Sequence, residues 1–188
     1  MSDRTEPSIF RVENLRFDKW NAVKEYRDGL DVYSNMKVGE VTNQDQQVDH
    51  ITELHVIRDN FDLIQKQGTG FQKKKQDLAN VLRSNIVNEV ENLNTTTAKI
   101  NINKCEAIQK FQAVYLNNSR QNPDQGAFEF LFEDMSRSRS LSRTLTKNIQ
   151  SELYKSWEAI DGLFEDEQPL RGEFQALLHK NIVAMKLK

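Results

Sequence analysis

Leu82, Ile86, Val90, Leu93, Thr97, Ile100, Lys104, Ala107, Phe111 and Val114 follow one another at steps of four and three, alternating from Ile86 onward. That spacing is a heptad seam, in which apolar residues return to one side of a helix every 3.5 residues. Residues 71–119 contain neither proline nor glycine, so nothing in the stretch interrupts a helix. A single helix of that length would run about 70 Å at 1.5 Å per residue. Such a rod does not fit inside a compact globule of this chain length, and the fold must be built along it. Thr97 and Lys104 are weak seam residues, which predicts a register marker or a partly wet stretch.

The remainder of the chain is read on the same scheme. With only 3 prolines and 7 glycines among 188 residues, and 29% charged residues, long helices are favoured over sheets. The hydrophobic share of 37% is low for a thick core and suits thin, extended helices. Residues 1–10 are expected to be a flexible arm and residues 11–188 a single elongated helical domain. Phe17, Trp20, Val23, Leu30 and Tyr33 outline a first amphipathic segment, weakened at Gly29. Val48, Ile51, Leu54, Ile57, Phe61 and Ile64 outline a second, capped near Thr42 or Asn43. Gly68-Thr69-Gly70 marks a kink or turn. Arg120-Gln121-Asn122-Pro123-Asp124-Gln125-Gly126 is the clearest loop. Leu141, Leu145, Ile149, Leu153, Trp157, Ile160 and Phe164 form a third stripe, broken at Pro169, before a last helix over roughly 170–186. Short loops between long helices force antiparallel neighbours. The expected fold is therefore all-α: an elongated antiparallel bundle of about three long amphipathic helices with coiled-coil seams, kinked near Gly68–Gly70 and Pro169. Its seam is expected at Leu82, Ile86, Val90, Leu93, Ile100, Ala107, Phe111 and Val114.

Reactive chemistry is sparse in this pattern. His50 and His55 are five apart and do not stack on one helical face as a metal pair would. Asp49 and Glu53 beside them read as the ordinary carboxylates of a charged helix. The glycines at 68 and 70 do not match phosphate-loop spacing, and no serine elbow is present. Cys105 is the only cysteine. It has no partner for an internal disulfide, and its place beside the seam gives it a packing role. No catalytic residue, cofactor or metal is expected. The start lacks the apolar core of a signal peptide, and no run approaches the roughly 20 apolar residues that span a bilayer. This predicts a cytoplasmic protein without a transmembrane segment, associated at most with the cytoskeleton or a membrane surface.

The net charge of −2 conceals an uneven distribution. Residues 136–150 carry +4 from Arg137, Arg139, Arg143 and Lys147, and residues 99–120 carry +3 from Lys99, Lys104, Lys110 and Arg120 against Glu106. Residues 152–173 carry −5. In an antiparallel bundle the two basic stretches meet at one end, a surface suited to an acidic filament or an anionic membrane. Few aromatics interleave the basic residues, so nucleic acid is not an expected partner. Within Ser136–Thr146, Ser142 and Thr146 each follow an arginine by three positions. This is the pattern of a basic-directed kinase site, and phosphate there would cancel positive charge.

The helix at 71–119, the tip-like Arg120-Gln121-Asn122-Pro123-Asp124, the basic flanks, and Phe164-Glu165 followed by Phe174 and His179 together resemble the BAR family of membrane-curving helical dimers. The resemblance covers roughly residues 17–186. It implies homodimerisation and binding of anionic lipid through the basic end. The helices are short for that family, and the interruptions of the third at Gly162, Pro169 and Gly172 depart from its smooth crescent. The residues themselves point to a non-catalytic coiled-coil scaffold packing against other helical proteins or a second copy, in a larger cytoskeletal or ciliary assembly. The BAR-like membrane module is the alternative.

Overall fold

The computed structural model describes residues 12–39, 45–54, 56–58, 61–62, 80, 82–117 and 141–162, with side chains except at 85, 86, 111–117, 157 and 160–162. Helix α1 runs Leu15–Tyr26, strand β1 Gln46–His50, strand β2 Leu93–Thr97, helix α2 Ala98–Asn117 and helix α3 Arg143–Gly162. The described residues of the 54–62 stretch are also helical.

The all-α bundle is not what the chain forms. β1 and β2 pair antiparallel as a two-stranded sheet, with Gln46 opposite Thr97 and His50 opposite Leu93. The expected 71–119 rod is replaced by a π-turn at Arg83–Val87, a 3₁₀ turn at Val90–Asn92, β2, and only then a 20-residue helix. The reason is local. Thr95, Thr96 and Thr97 are β-branched and stiff at χ1, which favours a pleated strand over a helical turn. At about 30 Å, α2 is less than half the expected length. Seam residues accordingly serve different elements. Leu82 is buried ahead of the π-turn, Val90 opens the 3₁₀ turn, and Leu93 opens the strand. Ile100 and Ala107, seven apart on α2, are both buried. The side chains of Ile86, Phe111 and Val114 lie outside the described residues. So do the arm at 1–10, the kinks at 68–70 and 169, and the positions 120–124, 164–165, 174 and 179 that carry the BAR resemblance.

Four consecutive residues of β2, Leu93 through Thr96, are buried. Successive side chains of a strand point to opposite faces, so both faces of β2 are covered. α1 and α2 each contact both strands, while α3 packs on the 3₁₀ turn. The first segment stops at Tyr26 in a left-handed cap. Gly29 N–H donates to Lys24 O at 2.7 Å and Asp28 N–H to Glu25 O at 3.1 Å, with Asp28 at φ 53. This is a Schellman motif with Asp in place of the usual glycine. From α1, Trp20 and Val23 are buried, but Phe17 is 68% exposed. The second expected stripe divides, since Val48 lies in β1 and the helix begins only at Leu54. Of the third expected stripe, Ile149 and Leu153 on α3 and Leu141 just before it are buried and Leu145 is half-buried, while the side chains of Trp157, Ile160 and Phe164 lie outside the described residues. Ser142 caps it, its Oγ accepting from Leu145 N–H at 3.2 Å.

The joints between elements are polar. The Arg27 guanidinium donates to the carbonyls of Leu93, Val90 and Glu91 at 3.0, 3.3 and 2.9 Å, tying the end of α1 to the 3₁₀ turn and β2. Asn92 is fully buried and uses its side chain like a peptide group. Its Oδ1 accepts from Thr52 N–H and Ser156 Oγ, both at 2.8 Å, and its Nδ2 donates to Val87 O and Thr52 O.

Candidate functional site: a buried ion cluster beneath a half-open cleft

The least expected residue is Lys104. The sequence pattern placed it on a basic contact surface, but its side chain is 0% exposed. β1 ends by presenting Asp49 inward, and the chain then turns through Ile51 and Thr52 towards Glu53. α2 lays Lys104 across this turn. Its Nζ lies 2.9 Å from Asp49 Oδ2 and 2.9 Å from Glu53 Oε1. It also donates to the carbonyls of His50 and Ile51. The Tyr33 hydroxyl donates to the same Asp49 oxygen at 2.9 Å, and the tyrosine ring stands 5.6 Å from the ammonium. Such a geometry offsets the heavy desolvation cost of a buried ammonium. Burial pulls the Lys104 pKa down, but the charges of Asp49 and Glu53 outweigh it and leave the pKa raised. Burial, reinforced by Asp49, raises the Tyr33 phenol well above its ordinary value.

A further buried carboxylate, Asp31, supports the cluster. Asp31 Oδ1 accepts from Tyr33 N–H at 3.0 Å and Asn94 Nδ2 at 2.8 Å, and Oδ2 from Ser34 Oγ at 2.6 Å and Thr96 Oγ1 at 2.9 Å. Asn148 of α3 donates to Tyr33 O at 2.8 Å. The tyrosine that touches the ion cluster is therefore fixed by the α1–β1 connection, β2 and α3 together.

Over this cluster opens a half-open cavity of about 510 Å³. Val12 borders it from ahead of α1 and Leu15 from the start of that helix, Val48, Asp49 and His50 from β1, and Glu53 and Leu54 from the stretch that follows. Asn101, Ile102, Cys105, Glu106 and Gln109 border it from α2. Ile102 is 50% exposed and Val12 41%. Asn101 Nδ2 bridges to Gln47 Oε1 at 2.9 Å. The histidine and the cysteine along the cleft are engaged within the protein. His50 Nε2 and Asn88 Oδ1 are 2.9 Å apart, and Asn88 Nδ2 donates to Arg83 O. Asn88 Oδ1 is thus the acceptor, so His50 Nε2 carries the proton. Burial, then the charge of Glu53, pushes the Cys105 thiol up to about 12, which keeps it protonated at neutral pH. Among the described residues no group of three or more His, Cys, Asp and Glu side chains is placed to hold a metal ion.

Four of the other expected contact residues lie among the described residues, two on α2 and two on α3. Lys99, Lys110, Arg143 and Lys147 are exposed, while Arg120, Arg137 and Arg139 lie outside the described residues. Of the two expected phosphorylation positions, Ser142 is exposed, whereas Thr146 is fully buried and donates its hydroxyl to Ser142 O at 3.0 Å. Short helices around a small sheet do not make a coiled-coil rod, and nothing among the described residues points to a membrane surface or a cytoskeletal filament. No described helix is long and apolar enough to cross a membrane. No known protein family matches the chain, and no curated protein or solved structure shows significant similarity to it. Sequence reasoning missed the Tyr33–Asp49–Lys104–Glu53 cluster. Its one visible trace was a lysine on a mostly apolar seam.

Proposed function

We propose that this domain is a non-catalytic protein-binding module that holds a short segment of a partner in the cleft above the ion cluster. The observation that carries the reading is the commitment of Lys104, His50 and Cys105. Lys104 is shared between Asp49 and Glu53, His50 is held by Asn88, and the Cys105 thiol stays protonated. Catalysis by nucleophile or general base needs a group poised to change its bonding. A fixed scaffold under a part-apolar cleft instead suits recognition, with Val12, Leu15, Leu54 and Ile102 offering apolar contact and polar groups setting orientation.

The test is a peptide-display selection against the full chain, followed by NMR mapping of the selected peptides. Shifts concentrated at Val12, Leu15 and Ile102, and abolished by Ile102→Glu, are the expected result. Peptides that map elsewhere remove the cleft from the proposal. In parallel, the chain is incubated with ester, peptide and phosphodiester substrates with and without magnesium, manganese or zinc. Turnover that disappears in His50→Ala would overturn the non-catalytic assignment.

A further inference from the structure

We infer that residues 49–53 form a cation-binding loop whose resident cation is the Lys104 ammonium, and that removing the ammonium leaves a site for a free hard divalent cation of the calcium class. The argument begins with where the oxygens come from. Asp49 Oδ2, the carbonyls of His50 and Ile51, and Glu53 Oε1 all converge on one point, the position of Lys104 Nζ. All four belong to five consecutive residues. Only the positive charge arrives from another element, α2. Two carboxylates flanking two main-chain carbonyls along a short stretch are hard-oxygen donors of the kind that calcium takes.

The fit is close in size and better in charge. The carboxylate oxygens stand 2.9 Å from Nζ. Calcium holds its oxygens at about 2.3–2.6 Å and tolerates irregular geometry, so the carboxylates need move in by only a few tenths of an ångström, while the Ile51 carbonyl, at 3.3 Å, must close by more. Magnesium demands near-ideal octahedral geometry and fits less well. One ammonium leaves the two carboxylates with a residual negative charge, which the Tyr33 hydroxyl moderates through its bond to Asp49. A divalent ion would neutralise them fully. The inference is independent of the cleft reading, because the cage lies beneath the cleft and its geometry does not depend on any partner.

The experiment compares the full wild-type chain with Lys104→Ala, which opens the site, and with Lys104→Met, which fills it with an apolar chain. Terbium, a calcium analogue, is added and its emission is excited through tyrosine, the Tyr33 ring standing 5.6 Å from the position of the ammonium. The expected result is saturable emission from Lys104→Ala that calcium competes away, none from wild type or Lys104→Met, and loss of the signal in Lys104→Ala/Asp49→Asn. Calcium on the order of 100-fold above its Kd should raise the Tm of Lys104→Ala by about 5–10 °C at matched ionic strength. If Lys104→Ala is unfolded in chelator, recovery of its helical circular dichroism on adding calcium supports the inference. A folded Lys104→Ala that ignores terbium and calcium overturns it. So does a Lys104→Ala chain that stays unfolded at every calcium concentration, or wild type that binds terbium as well as the variant.

Discussion

Asp31, Asp49 and Lys104 are buried as deeply as Ile57, Phe61, Leu82 and Ile149, and all seven are 3% exposed or less. The two groups hold the molecule together differently. The apolar residues contribute through area removed from water, a non-directional effect that tolerates small changes of shape. The polar residues contribute only when every donor and acceptor is matched, because a single orphaned charge in a dry interior costs more than the pair was worth. The centre of this protein is therefore its most specified and least forgiving part.

The largest effect should come from Lys104→Met, which leaves Asp49 and Glu53 facing each other. A loss of about 3–5 kcal/mol is expected in chemical denaturation. A loss smaller than that of a conservative apolar change would break the contrast. Asp31→Asn comes next, since the new amide brings donors to a site where four donors already point. About 2–3 kcal/mol is expected, with Asn94 and Thr96 amide resonances shifting most. On the apolar side, Ile57→Val should cost only about 1 kcal/mol, with an unchanged denaturant slope.

The pH response separates the two groups in a different way. Lys104, Tyr33 and Cys105 all have folded pKa values above their ordinary ones. Each contributes stability that is complete below its unfolded pKa and is lost as pH rises through the folded one. The denaturation midpoint should hold steady from neutral pH to about 9, start to fall as the unfolded Cys105 ionises, and fall more steeply above about 10. Tyr33→Phe should flatten the upper part of that fall, and an unchanged curve would show that the cluster does not govern it. The smallest effect is expected at the surface. Lys19 meets Glu89 at 3.3 Å with about a third of each side chain exposed. Lys19→Ala should move stability by about 0.5 kcal/mol or less.

α3 could be read from the sequence because its apolar residues keep one helical face with no competing signal. The sheet could not, for two reasons. β1 is mostly polar, with Val48 its only strong strand former. β2 is buried on both faces and so shows no alternation of polar and apolar residues, while Val90, Leu93, Thr97 and Ile100 fall by coincidence at heptad spacing. The threonine run at 95–97 was the readable contrary sign. The ion cluster was harder still. Asp49 and Glu53 look like any carboxylates on a charged segment until the chain returns more than fifty residues later with Lys104. Nothing local distinguishes a lysine that will be solvated from one that will be enclosed.

The pairing of β1 with β2 also says something about the order in which the chain assembles. Forty-two residues, 51–92, separate the two strands. α2 and α3 can sample their turns within about a microsecond. The strands gain nothing until the whole intervening segment has closed into a loop, and that entropy is lost before any contact offsets it. The search of 46–50 for 93–97 should therefore pace folding. The Arg27 contacts to 90–93 and the Lys104 cluster can complete only after that search has succeeded.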